Sequence, residues 1–277
     1  MASKKEYENN IRQWQAMKYE ELTRENGWLA LAGLYWLNNG RNLVGSNPMC
    51  EVVLPERGPT FLGLVERKGK TIRLMVAEGV RVKVNGRLVQ KAILKSSKEA
   101  KPSFITWNET LRMVVHEHAG KHAIRIWDNE RTGRFSLPPL KWFPINKNFR
   151  IPARYTRYKK SHLMDHPDTF GDMVDDRIDG FVSFRFEGVT HKLDVTETKR
   201  GTLFIKFRDQ TSGNETYPPT RYCYTEKVKN GRVTLDFNYA YNPPCAFTEY
   251  ATCIFAPPQN TLPFRVEAGE IYGGGQL

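Results

Sequence analysis

Gly180-Phe-Val-Ser-Phe-Arg-Phe-Glu-Gly188-Val-Thr-His-Lys-Leu-Asp-Val-Thr196 decides the fold. Two strand-length segments, Gly180–Glu187 and Thr190–Thr196, are rich in β-branched and aromatic residues and are separated by a turn at Gly188. The same rhythm continues on the C-terminal side with strands predicted at Thr202–Arg208, Thr220–Thr225 and Arg232–Asp236, and with glycine turns at Gly201, Gly213 and Gly231. Short strands joined by tight turns make an antiparallel meander, hence a sandwich or barrel.

Working toward the N-terminus, residues 161–179 are polar without clean periodicity and read as a long surface loop before this meander. A proline-rich passage, Leu137-Pro-Pro-Leu-Lys-Trp-Phe-Pro144, marks a seam near residues 137–150. Before it lies a second strand series between Glu51 and Trp127, in which Asn85-Gly86 signals a type I′ hairpin. Residues 4–26 have helical spacing of Ile11, Trp14 and Leu22, with Gly27 as a stop. The expectation is an all-β chain: an N-terminal helix and apolar segment (1–40), then two antiparallel β-sandwich or barrel-like halves, 41–145 and 146–277.

Composition narrows the function classes. With 277 residues, 40% apolar and 26% charged, the chain can bury a sizeable core. The charged N-terminus lacks the roughly 7–15-residue apolar core of a secretory signal. The longest apolar run, Trp28–Leu37, is about half of the ~20 residues needed to cross a bilayer as a helix. Four cysteines without a Cys-x-x-Cys pair fit reduced thiols, so a cytoplasmic, membrane-free protein is expected. Residues 51–160 hold 24 Lys and Arg against 9 Asp and Glu, while residues 161–277 hold 12 against 16. Because most of these cations alternate with apolar residues, as in Val80-Arg-Val-Lys-Val-84 order, they read as solvated strand faces and nucleic acid is not the expected partner.

The chemically distinctive region is Asp209 to Glu270. Asp209 and Asp236 each fall where a predicted strand ends, and Glu215, Tyr217, Arg221, Asn238, Asn242 and Glu270 lie in the same region. Asp209, Glu215 and Asp236 are the acid/base candidates, since paired carboxylates in different environments can divide those roles. Arg221 is the candidate anion holder, with Asn238, Asn242, Tyr217 and Glu270 completing a substrate pocket. The same residues also suit a supporting role, in which Asp209, Thr211 and Asn242 cap turns and Arg221 pairs with a carboxylate. Cys245 and Cys253 read as buried free thiols, and His116-Glu-His118 as histidines at an exposed hairpin edge, so no metal site is assigned. No G-x-S-x-G, P-loop or dinucleotide fingerprint is present, the cofactor stays unknown, and the paired carboxylates could also hold a hard cation such as Ca²⁺ or Mg²⁺ through oxygen ligands.

These motifs carry a resemblance. Gly27-Trp-Leu-x-Leu-x-Gly-Leu-x-Trp-Leu37, Val84-Asn-Gly86, Trp142-Phe-Pro144, Asp209-x-Thr211, Glu215-Thr-Tyr217, Arg221, Asp236-Phe-Asn-x-Ala-Tyr-Asn-Pro-Pro-Cys245, Cys253, Asn260 and Ala268-Gly-Glu270 resemble the bacterial, archaeal and fungal domain-of-unknown-function family 1684 over nearly the whole chain. That family usually has Pro after the second cysteine, where this chain has Ile254. The resemblance supplies positions and no reaction. Gly45-Ser46 and Val82-Lys-Val-Asn-Gly86 in the first half resemble the skeleton of the forkhead-associated sandwich, without that family's phosphate-binding Arg and Ser-x-x-His elements. The expected function is a hydrolase-like enzyme acting on a small polar substrate; the alternative is a non-catalytic binding module for a sugar, phosphopeptide or other anionic ligand.

Overall fold

The structure, a computed structural model, describes residues 3–273. It divides into two compact units, one formed by residues 21–137 and the other by residues 1–20 with 138–277.

The unit of residues 21–137 is built from eleven short strands: β1 (Leu31–Trp36), β2 (Gly40–Gly45), β3 (Val52–Val53), β4 (Gly63–Lys68), β5 (Thr71–Val76), β6 (Val82–Val84), β7 (Arg87–Val89), β8 (Lys91–Leu94), β9 (Phe104–Trp107), β10 (Leu111–His118) and β11 (Lys121–Asp128). They form a six-stranded sheet, β1-β11-β10-β9-β6-β7, and a five-stranded sheet, β3-β2-β4-β5-β8. Val44, Val65, Ile72 and Leu74 of the second sheet share one core with Ile105, Met113, Val115 and Ile124 of the first. The Asn85-Gly86 hairpin forms as expected, with φ of +49° and +82°. His116 and His118 do project from one strand face, stacked 5.8 Å apart, but both are buried and not on an exposed edge. Arg125 Nη2 lies 3.1 Å from His116 Nε2, and burial together with that cation pushes the imidazole down to about 3.

In the other unit, helix α1 (Lys4–Thr23) opens with a reciprocal cap, Ser3 Oγ accepting from the Glu6 amide while Glu6 Oε2 accepts from the Ser3 amide. The short β12 (Lys141–Trp142) is followed by β13 (Arg150–Pro167), β14 (Met173–Phe186), β15 (Val189–Glu197), β16 (Thr202–Phe207), β17 (Arg221–Lys227), β18 (Arg232–Asp236) and the short β19 (Glu270–Ile271). The sheet order β17-β16-β15-β14-β13-β18 puts the sequence neighbours β17 and β18 at opposite edges, and their side-by-side approach curls the meander into a near-barrel. Inside it, Val182, Phe184, Leu193, Ile205, Phe207 and Leu235 form the core, each such burial contributing about 1.5–3 kcal/mol.

Two features depart from the sequence expectation. Residues 161–179 are no loop: they are the far end of the β13–β14 hairpin, paired from His162↔Ile178 to Pro167↔Met173 around a turn at residues 168–172. Their inward side is polar, which erased the expected alternation. His166 Nδ1 lies 2.9 Å from Asp176 Oδ2, and Lys206 Nζ donates to the same oxygen at 2.6 Å, all three residues being buried. Secondly, residues 1–20 belong with the C-terminal half. Tyr7 Oη donates to Asp236 Oδ2 at 2.8 Å, and Trp14 packs edge-on against Trp142, Tyr239 and Tyr241.

Candidate functional site

Six of the eight residues singled out from sequence fall into three bonding groups, and Glu215 and Tyr217 lie outside them. In the first, Arg221 is fully buried at the start of β17 and its Nη1 donates to Asp209 Oδ2 at 2.8 Å and to the Val266 carbonyl at 3.0 Å. Its Nη2 donates to the Ala268 carbonyl, and its guanidinium stacks over the Phe207 ring. The other oxygen of Asp209 accepts from the amides of Thr211 (2.7 Å) and Val266 (3.1 Å). A buried ion pair holds only when its remaining donors and acceptors are bonded, and these groups largely are. Both oxygens of Asp209 are thus engaged, one by Arg221 and the other by two backbone amides.

In the second group, Asp236 caps the turn that follows β18. Its Oδ1 accepts from the Asn238 amide (3.1 Å) and side chain (2.9 Å), and its Oδ2 accepts from Tyr7. Burial raises its carboxyl above the usual range despite these bonds. Asn238 also accepts from the Asn146 amide at 2.9 Å and donates to the Asn146 carbonyl at 2.9 Å. The motif Asp-Phe-Asn is thus the seat on which α1 and the segment before β13 are fastened.

The third group centres on Glu270, 2% exposed. Gly269 places it: at φ +82°, a Cβ there would sit 2.4 Å from the Ala240 carbonyl oxygen, so only glycine lets the chain pass beneath the 237–240 turn. Glu270 Oε2 accepts from the Asn242 amide at 2.9 Å, while Glu270 Oε1 and Asn242 Oδ1 are buried without a protein partner. Desolvation pushes the Glu270 carboxyl up to about 7, against the opposing bonds from Asn242 and the charges of Lys18 and Arg221.

The remaining two residues are less buried. Glu215 pairs with Arg265 at the surface, and its backbone carbonyl accepts from Tyr272. Tyr217 donates to the Cys245 carbonyl at 3.2 Å, and burial raises its phenol. Cys245 and Cys253 are buried free thiols, the Cys245 amide lying 3.4 Å from Cys253 Sγ. Among the described residues no group of three or more His, Cys, Asp and Glu is arranged to hold a metal ion. Asn260 closes the gap where β15 and β16 pair only at Thr196 and Glu197, bonding the Asp194 amide and carbonyl and the Lys206 carbonyl.

None of the eight lines the groove that the near-barrel presents to solvent. This concavity of about 710 Å³ runs across β13, β14 and β18 and is bordered by Arg154, Arg185, Lys227, Lys229 and Arg232. Glu226 is its one carboxylate, and Arg150 already neutralises it at 3.0 Å. Among the described residues none of the five bordering cations has a carboxylate partner. Moreover, Arg154 and Arg232 are directly opposed in the β13–β18 ladder, an arrangement of like charges that costs stability. These residues were passed over because each, taken alone, looks like the solvated face of a strand. The discoverable signal was the pairing of Arg154 with Arg232, which requires the register.

Fold and site together define an all-β protein with one N-terminal helix, whose C-terminal half is a six-stranded near-barrel with an internally bonded polar motif. Residues 136–271 match the family described as protein of unknown function DUF1684. The match covers the C-terminal half only, so the longer resemblance is met in part. An uncharacterized protein of Haloarcula marismortui, solved by NMR, is 31% identical over 50% of this chain and 78% of its own, with a TM-score of 0.42. The FhaA FHA domain, solved with the intracellular domain of Rv3910, is 17% identical over 33% of this chain and 85% of its own, at a TM-score of 0.25. The cytoplasmic domain of the sorting platform protein PscD from P. aeruginosa is 24% identical over 37% of this chain and 72% of its own, at 0.22. No curated protein matches the chain. No helix among the described residues is long and apolar enough to cross a membrane.

Proposed function

We propose that the C-terminal half is a binding module for an anionic small molecule, held in the groove between β13, β14 and β18. One observation carries this reading: five cations without carboxylate partners border a single concavity, two of them directly opposed across adjacent strands. A fold gains nothing by itself from such crowding, whereas an anion there would be attracted by every member of the set. The volume lies within the usual range of small-molecule sites, roughly 300–1,000 Å³. The hydrolase reading weakens in proportion, because Asp209 and Asp236 spend their oxygens on Arg221, Tyr7, Asn238 and backbone amides.

The test is thermal unfolding of the full chain at constant ionic strength with phosphate esters, sulfated sugars and polycarboxylates, repeated on Arg154→Glu. A ligand at ~100 times its Kd adds about 2.7 kcal/mol of stability. The expected result is stabilisation of the wild type by at least one anion class and its loss in the variant. Equal shifts in both proteins, or none in either, would dismiss the groove.

One observation favours a second, enzymatic reading. Glu270 is a buried carboxyl raised to about 7 with an unpartnered oxygen beside the unpartnered Asn242 Oδ1, the environment of a general acid. If it acts so, Glu270→Gln abolishes turnover of an ester and glycoside panel while leaving the fold intact. Turnover retained in that variant would remove this reading.

A further inference from the structure

Resting on the anion-binding reading, we infer that the groove takes a small molecule bearing a pyrophosphate or two neighbouring phosphates. Three of the five cations, Arg154, Arg185 and Arg232, are arginines, whose planar forks match pairs of phosphate oxygens in a way a lysine cannot. Ser183, Thr190 and Thr234 line the same groove and add hydroxyl donors.

The arrangement is linear. Through the sheet register Arg232 stands opposite Arg154, Arg154 opposite Ser183, and Ser183 opposite Lys192, so one row crosses β18, β13, β14 and β15 on a common face. Neighbouring strands are about 4.8 Å apart, so Arg232 and Arg154 stand one strand apart, a spacing that suits two neighbouring phosphate groups, with the Ser183 hydroxyl beside them and Lys192 one strand further on. Arg185 follows Ser183 by two residues on β14 and therefore shares that face. A singly charged carboxylate would neutralise one member of this row and leave the others repelling each other. A pyrophosphate, with two or more charges over several oxygens, answers the row as a whole.

One observation argues against a nucleic acid in the same place. The one aromatic ring among the lining residues, Phe184, is 3% exposed and packed in the core, so no platform stands ready for base stacking.

The experiment is isothermal titration calorimetry on the full chain with pyrophosphate, orthophosphate, citrate and a short oligonucleotide, at low and moderate salt. Arg154→Glu and Arg232→Glu are measured alongside, with Arg232→Ser as a milder change and circular dichroism reporting the fold of each. Pyrophosphate is expected to bind about tenfold or more tighter than orthophosphate and citrate, weaken as salt rises, and lose about tenfold or more on either reversal. Citrate binding as tightly as pyrophosphate in a reversal-sensitive manner would remove the phosphate assignment and leave the anion-binding reading standing. An oligonucleotide binding more tightly than pyrophosphate would overturn the small-molecule class. Absence of any reversal-sensitive anion binding would overturn both.

Discussion

The polar motif between Asp209 and Glu270 and the cations around the groove belong to the same half of the chain but live under opposite conditions. Arg221 is fully buried and bonded to Asp209 and two carbonyls, whereas Arg154 and Arg232 are exposed, opposed and unpaired with any carboxylate among the described residues. Buried polar groups must find partners in the protein because each unmet one costs about 1–3 kcal/mol. A dense polar motif in sequence is therefore as much the mark of an internally bonded support as of a catalytic centre. Cations on a surface are held to no such rule, so their crowding is the more telling sign of a ligand.

The comparison can be broken at its strongest point. Arg221→Ala leaves Asp209 charged, buried and without its counter-ion, and should cost about 3–5 kcal/mol in urea unfolding. A cost below about 1 kcal/mol would mean that the motif is not a support. Pairing Arg221→Met with Asp209→Asn should recover part of the loss, since the two residues couple.

Next in size is the pH dependence of Glu270. Its folded value of about 7 lies above the ordinary glutamate value of 4.5, so the folded state holds its proton more tightly than the unfolded one. Its contribution is fully present below pH 4.5 and is lost as pH rises through 7. The loss amounts to roughly 3 kcal/mol. Unfolding measured from pH 4 to 8 should show this decline in the wild type and a smaller one in Glu270→Gln, where the raised carboxyl of Asp236 still contributes; identical profiles would sever Glu270 from the effect.

A smaller effect is expected at Tyr7→Phe, which deletes the hydroxyl serving Asp236 and Asn238 and should cost about 1–2 kcal/mol. No change in unfolding midpoint would show that α1 is held by Trp14 alone. The smallest effect has the opposite sign. Arg232→Ser relieves the repulsion with Arg154 and should raise the stability of the ligand-free protein by about 0.2–1 kcal/mol at low salt, while weakening anion binding. A loss of stability instead would mean that Arg232 serves the sheet and not a ligand.

Much of this architecture was legible beforehand for local reasons. Alternation in Gly180–Phe186, the turn at Glu187-Gly188 and the Asn85-Gly86 hairpin depend on neighbours within a few residues, and all formed as read. Residues 161–179 escaped because the buried side of that hairpin carries His166 and Asp176, whose partner Lys206 comes from a strand 30 residues further on. Helix α1 was legible as a helix, yet its docking on the 236–242 segment was not, since the Tyr7–Asp236 bond spans 229 positions.

By itself, the sequence determined the all-β class, the meander, its turns and the long helix, and it carries the family-model match over residues 136–271. Only the tertiary structure decided that Arg221 is spent on Asp209, that Gly269 carries Glu270 under a turn, and that Arg154 faces Arg232. The physical reason is that strand and turn formation are governed by local sterics and period. The partners of a charge are set by register and chain closure, which bring together residues that have no proximity along the chain.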